Sequence, residues 1–117
     1  MQEIPPNIQH EIQQFQQMQQ QYEMVVAQKQ KLTLDLNETT LALQELEKET
    51  DTVYKSIGSI LVKTTKDDMK KELEERKENL EIRTTTLERQ EQRMLEKLKN
   101  MRAKIEQMLG STGVQAG

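Results

Sequence analysis

Apolar residues recur at every seventh position along two long runs of this chain, and the runs flank one short stretch of a different kind. Counting from Ile8, the first run gives Ile8, Phe15, Tyr22, Lys29, Leu36 and Leu43, and three residues beyond each stand Glu11, Met18, Val25, Leu32, Thr39 and Leu46. Nine of these twelve positions are apolar, which is the seam of a coiled-coil helix. Pro5-Pro6 marks its start, because proline is tolerated in a first helical turn, and no Gly or Pro interrupts it as far as about Lys48. Glu49 to Thr52 is polar and carries no clear stop signal, which leaves the end of this helix open by several residues. The second run predicts a helix from about Lys66 to Leu109, with Leu73, Leu80, Leu87, Met94, Met101 and Met108 on its seam. Thr64-Thr65 offers an N-cap, and Asp67 and Asp68 face the positive end of the helix dipole. Asp67 with Lys71 and Glu72 with Arg76 are spaced as ion pairs on its wet side. The β-branched run Thr84-Thr85-Thr86 is its weak point, and Gly110-Ser111-Thr112-Gly113 predicts a stop followed by a flexible tail over 110–117.

Between the runs lies Val53 to Lys63, where Val53, Tyr54, Ile57, Ile60, Leu61 and Val62 favour a pleated backbone. Gly58-Ser59 supplies the tight turn of a hairpin spanning about 53–64. Ile60, Leu61 and Val62 in a row put apolar side chains on both faces, so the second strand wants cover on both sides. A lone two-stranded hairpin is marginal in water and has two open edges. Pairing with hairpins of other chains is the expected remedy.

The two seams test each other. If the chain folds back at Gly58, residues that face across an antiparallel pair have numbers summing to about 116. Ile8 with Met108, Phe15 with Met101, Tyr22 with Met94, Leu36 with Leu80 and Leu43 with Leu73 all obey this. The intervening layers are mixed, with Met18 against Leu98 but Val25 against Glu91 and Leu32 against Thr84. The expected fold is therefore mainly α: a long antiparallel two-helix coiled coil joined by one short β-hairpin, with arms of about 65 Å at ~1.5 Å per residue. Leu34, Leu41 and Ile82 fall outside the seam and read as a further apolar cluster near the hairpin, a second subunit contact.

Composition agrees with helices more than with a compact core. Only 33% of residues are hydrophobic and 32% are charged, which suits amphipathic helices; disorder competes on composition, but the strict periodicity opposes it. At 117 residues there is room for one domain. A net charge of −3, with acidic residues interleaved among the Lys and Arg, predicts no nucleic-acid partner. No apolar run approaches the ~20 residues of a membrane span, and no signal peptide is visible. Cysteine is absent, which is compatible with a cytoplasmic location.

Chemistry is hard to find. His10 is the single histidine and cannot build an ordinary transition-metal site with Glu11 alone. The glycines form a turn and a tail rather than a phosphate loop, and Ser59 has no histidine near it in sequence. The expectation is no catalytic, cofactor or metal site. What remains is the coil end away from the hairpin, where Ile4, Ile8, Ile12 and Phe15 come from one helix and Leu98, Met101, Ile105, Met108 and Leu109 from the other. These either close the seam or form an adaptable apolar tip for non-native protein, a use that flexible methionines suit. Ile12 and Leu109 sit beside the seam with no capping element in the sequence to cover them.

The hairpin segment VYKSIGSILVKTTKDD (Val53 to Asp68), together with LERQEQRMLEKL (Leu87 to Leu98) in the second helix, resembles the β-class subunit of prefoldin, in its archaeal form. The resemblance covers essentially the whole chain, and room for one hairpin rather than two favours the β class. It implies a hexamer of two α-type and four β-type subunits, whose hairpins join into a β-barrel and whose coil tips hold unfolded polypeptides without ATP. It further implies delivery of those clients to a group II chaperonin in the cytosol. Carried over by position, Val53, Tyr54, Ile57, Gly58, Ile60, Leu61 and Val62 serve assembly, and the apolar coil ends hold the client. The reading from a different class is a structural coiled-coil adaptor for one folded partner, which the heptads alone permit.

Overall fold

The computed structural model describes residues 3–111. The elements follow in the order α1 (Pro6–Leu46), β1 (Thr52–Ile57), β2 (Ile60–Thr65) and α2 (Lys66–Ser111), the two helices and single hairpin that the spacing predicts. Pro5 caps α1 through its carbonyl, which accepts from the amides of Ile8 and Gln9 at 3.0 Å each. The amide side chain of Gln9 donates back to Ile4 O at 2.8 Å and fixes the lead-in.

The end of α1 explains why its sequence shows no stop. The last turn tightens, with Lys48 N donating to Glu45 O and Glu49 N to Leu46 O, both at 3.1 Å. The first residue of α2 then closes the end from outside: Lys66 Nζ donates to Glu47 O at 3.1 Å and Lys66 N to Asp51 O at 2.8 Å. The carbonyls of Glu45 and Leu46 are thus met within the turn itself, and Glu47 O, just past the helix, by a lysine 19 residues further along the chain.

β1 and β2 pair antiparallel, from Thr52 opposite Thr65 to Ile57 opposite Ile60. Gly58 has φ of +58° while among the described residues no non-glycine has a positive φ, the pattern of a two-residue turn with its first central position left-handed. Thr65 caps α2 by accepting from Asp68 N at 3.1 Å, with Asp67 and Asp68 in the first turn. Thr84, Thr85 and Thr86 do not break α2; each hydroxyl donates to the carbonyl four residues back, at 2.7, 2.9 and 3.0 Å. The helix also outlasts the predicted stop at Leu109. Gly110 keeps a helical backbone, and Ser111 Oγ donates to Gln107 O at 3.0 Å. The rest of the predicted tail, from Thr112, lies outside the described residues.

The described residues fall into two compact units: 3–28 with 87–111, and 29–86. In the first, the two helices run antiparallel and Lys104 Nζ meets Glu11 Oε1 at 3.0 Å. Ile8, Val25, Leu98 and Leu109 are buried there, with Ile8 wholly inaccessible. In the second, Lys70 Nζ meets Glu47 Oε1 at 3.0 Å, and Leu32, Leu46, Leu80 and Thr39 are buried. Both cross-helix ion pairs obey the register expected from folding back at Gly58. All twelve seam positions predicted on α1 are buried or half-buried. Thr39 occupies one of them by donating its hydroxyl to Asp35 O at 2.8 Å, so no polar atom is stranded. Glu72 does not pair along α2 with Arg76; it reaches Lys55 on β1 at 3.2 Å and ties the hairpin to its own helix.

Candidate functional site

Alternation along the strands gives the hairpin two unlike faces. One carries Val53, Lys55 and Ile57 opposite Thr64, Val62 and Ile60; its four residues nearest the helices are half-buried, while Ile57 and Ile60 at the turn are 51% and 60% exposed. The other face carries Tyr54 and Leu61, 63% and 73% exposed. Beside β1, a groove of about 750 Å³ is walled by Leu46, Val53, Met69 and Leu73 together with Tyr54. In a two-stranded sheet each strand also keeps one edge whose N–H and C=O groups lack a ladder partner. Apolar side chains and open edges therefore coincide, and water is a poor permanent environment for the pair. Of the residues predicted for assembly, Tyr54, Ile57, Ile60 and Leu61 are open, Val53 and Val62 are half-covered, and Gly58 makes the turn.

The base of the hairpin is pinned by charge. The Lys70 ammonium, hydrogen-bonded and close, holds the Glu47 carboxyl below its ordinary pKa, with Lys66 adding to the effect. Reciprocally, Glu47 raises the Lys70 pKa, first through the hydrogen bond and then through charge. Both groups face solvent, so the pair orients the helix ends more than it stabilises them.

The nine residues predicted for client binding fall together in the first unit, since Ile4 to Phe15 and Leu98 to Leu109 both belong to it. None of them is openly exposed. Ile8, Leu98 and Leu109 are buried, and Ile4, Ile12, Phe15, Met101, Ile105 and Met108 are half-buried. The expectation that Ile12 and Leu109 stand uncovered is thus corrected. Ile4 and Pro5 are themselves half-buried, and the antiparallel register puts the first turn of α1, at Asn7, at the height of Leu109. Among the described residues, the large apolar side chains that do face solvent in this unit are Met24, 63% exposed, and Leu95, 40% exposed. Neither lies on the seam, and a single off-seam apolar residue carries no sequence signal that separates it from ordinary surface.

Leu34, Leu41 and Ile82 are exposed as expected, at 63%, 58% and 57%. They do not form one cluster. Leu34 stands two residues from both Leu32 and Leu36, and Ile82 two from both Leu80 and Thr84, so each points away from its own seam. The two leucines and the isoleucine therefore occupy opposite backs of the helix pair. His10 is exposed, with Gln14 Nε2 at 3.1 Å from its Nε2. Among the described residues no group of acidic, His or Cys side chains is arranged to hold a metal ion, and no helix is long and apolar enough to cross a membrane.

Fold and surfaces define a class: two-helix coiled coils that carry an unpaired β-hairpin between their helices. The family model described as "Prefoldin subunit" matches residues 9–112. The prefoldin beta subunit of Pyrococcus furiosus is 47% identical over 111 residues, covering 93% of this chain and 95% of that protein. That of Methanosarcina mazei is 38% identical over 110 residues, covering 92% and 94%. The crystal structure of the prefoldin beta subunit from Thermococcus strain KS-1 superposes with a TM-score of 0.82 at 48% identity, covering 93% of this chain and 97% of that one. The chain belongs to the prefoldin family and is similar to its archaeal beta subunits.

Proposed function

We propose that the chain is the β-type subunit of an ATP-independent holdase chaperone. Its hairpin joins those of other β-type subunits and of an α-type partner, two α with four β, in a β-barrel. The coil ends away from the hairpins capture unfolded polypeptides and hand them to a group II chaperonin in the cytoplasm. The observation that carries the assembly reading is the hairpin itself, where Tyr54, Ile57, Ile60 and Leu61 stand in solvent on a sheet with two open edges. The similarity to beta subunits along nearly the whole chain supports the α-type partner.

Client capture follows from where the tip residues are. Ile8, Phe15, Leu98, Met101, Ile105 and Met108 already pack in the seam, so a client competes with the partner helix for them instead of landing on a free patch. Exchange of one apolar contact for another gives weak binding per arm, and several arms acting together supply the affinity. Folded proteins expose too little apolar surface to compete, which restricts capture to non-native chains.

The test is aggregation of several unrelated denatured proteins in the presence of the assembled oligomer. Ser or Gln at Ile8, Ile12, Met101 and Leu109 is expected to abolish protection while the oligomer keeps its mass. Unchanged protection would defeat the tip assignment. Protection of one protein alone would point to an adaptor with a dedicated partner.

A further inference from the structure

The seam of α2 changes composition along its length. Leu73 and Leu80 in the second unit, and Leu87 where the first begins, give way to Met94, Met101 and Met108. Met18 adds a fourth seam methionine from α1, and all four are half-buried. A half-buried thioether both packs against the opposite helix and remains within reach of a small oxidant. Leucine at the same heptad position fills similar volume and is inert, so packing alone does not require sulfur here.

We propose that Met18, Met94, Met101 and Met108 form a reversible oxidation site, at which a peroxide uncouples the helices of the first unit and leaves the second intact. In the forward step the thioether sulfur attacks one peroxide oxygen, the O–O bond breaks, an S=O bond forms and water leaves. Sulfur loses two electrons and the peroxide gains them. In the return step two thiols supply two electrons, the oxygen departs as water and a disulfide forms on the reductant. The sulfoxide oxygen is a strong acceptor, and Phe15 and Ile8, which face Met101 and Met108, offer it no side-chain donor; there it regains hydrogen bonds only if water enters between the helices. One oxidised layer is tolerable; three at heptad spacing on one helix leave Leu98 and Ile105 alternating with polar layers. The second unit keeps Leu32, Leu46 and Leu80 as its buried apolar residues, none of which can respond, and its methionine, Met69, lines the groove beside β1 and lies off the seam. The proposal rests on the seam and not on the client reading.

Met24 supplies an internal reference, being 63% exposed and off the seam. The experiment treats the assembled protein with graded hydrogen peroxide, maps the added oxygen at each methionine by peptide mass spectrometry, and follows amide hydrogen exchange. Met24 is expected to oxidise first without effect. As the seam methionines follow, exchange in 6–28 and 87–111 should accelerate by about tenfold or more while 29–86 stays protected. Methionine sulfoxide reductases with a thiol should restore protection. The variant M18L/M94L/M101L/M108L should keep it throughout. Seam sulfoxides without faster exchange would overturn the proposal. So would equal loss of protection in the leucine variant, or seam methionines that stay reduced at doses that fully oxidise Met24.

Discussion

Leu80 and Leu34 are the same residue type in helices of the same unit, yet they contribute differently. Leu80 is 5% exposed on the seam and Leu34 is 63% exposed on the back of α1. Leu80→Ala is therefore expected to cost about 2–3 kcal/mol, through lost burial and a gap the coil closes only in part. Leu34→Ala should stay within about 0.5 kcal/mol, and urea midpoints of the two variants check both figures. The Glu47–Lys70 pair makes a prediction in pH. Glu47 has a lowered pKa when folded, so its contribution is present above its ordinary 4.5 and is lost as pH falls through the lowered value. Lys70 has a raised pKa, so its contribution is present below its ordinary 10.5 and is lost as pH rises through the raised value. Glu47→Gln should flatten the acid limb of the stability profile with little change near neutrality, and NMR titration of the Glu47 carboxyl should show the depressed value directly.

At the scale of elements, Gly58 is the residue on which the hairpin turns. A Cβ there would meet nothing within 4 Å, so a substitution is penalised by backbone conformation alone. With φ at +58°, Gly58→Val should destabilise the hairpin by about 1–2 kcal/mol, whereas Gly58→Asn should cost less. Exchange rates of the strand amides, compared with those of α2, would register the loss. The same elements show what a sequence can and cannot disclose. Heptad spacing placed α1, α2 and their antiparallel register, because every seam position repeats a local rule seen many times over. The end of α1 was not legible, since its last turn tightens without Gly or Pro and Lys66 adds a bond to Glu47 O from the far side of the hairpin. Pairing of Glu72 with Lys55 in place of Arg76 was missed for the same reason: a partner across the fold competes with the one along the helix. Leu109 looked uncovered because heptad counting places it beside the seam, whereas it is 7% exposed.

For the molecule as a whole, the candidate site divides into a part the sequence discloses well and a part it discloses poorly. The hairpin could be read as exposed, because two strands cannot cover Ile57, Ile60 and Leu61 by themselves, and these side chains are open. For the residues proposed to hold a client, the sequence gives positions but not exposure, since one periodic pattern describes a closed seam and an open tip alike. Assembly through the hairpin is the claim on which the rest depends: avidity, the barrel and the α-type partner all fail without it. Its most direct test is the mass of the purified chain by native mass spectrometry, first alone and then with an α-class subunit, alongside the variant Y54K/L61K. The account predicts a hexamer of two α-type and four β-type chains on mixing for the unaltered protein, and no hexamer for the variant, whose helices should remain folded. A chain that stays monomeric under both conditions, or a variant that assembles as well as the parent, would contradict it.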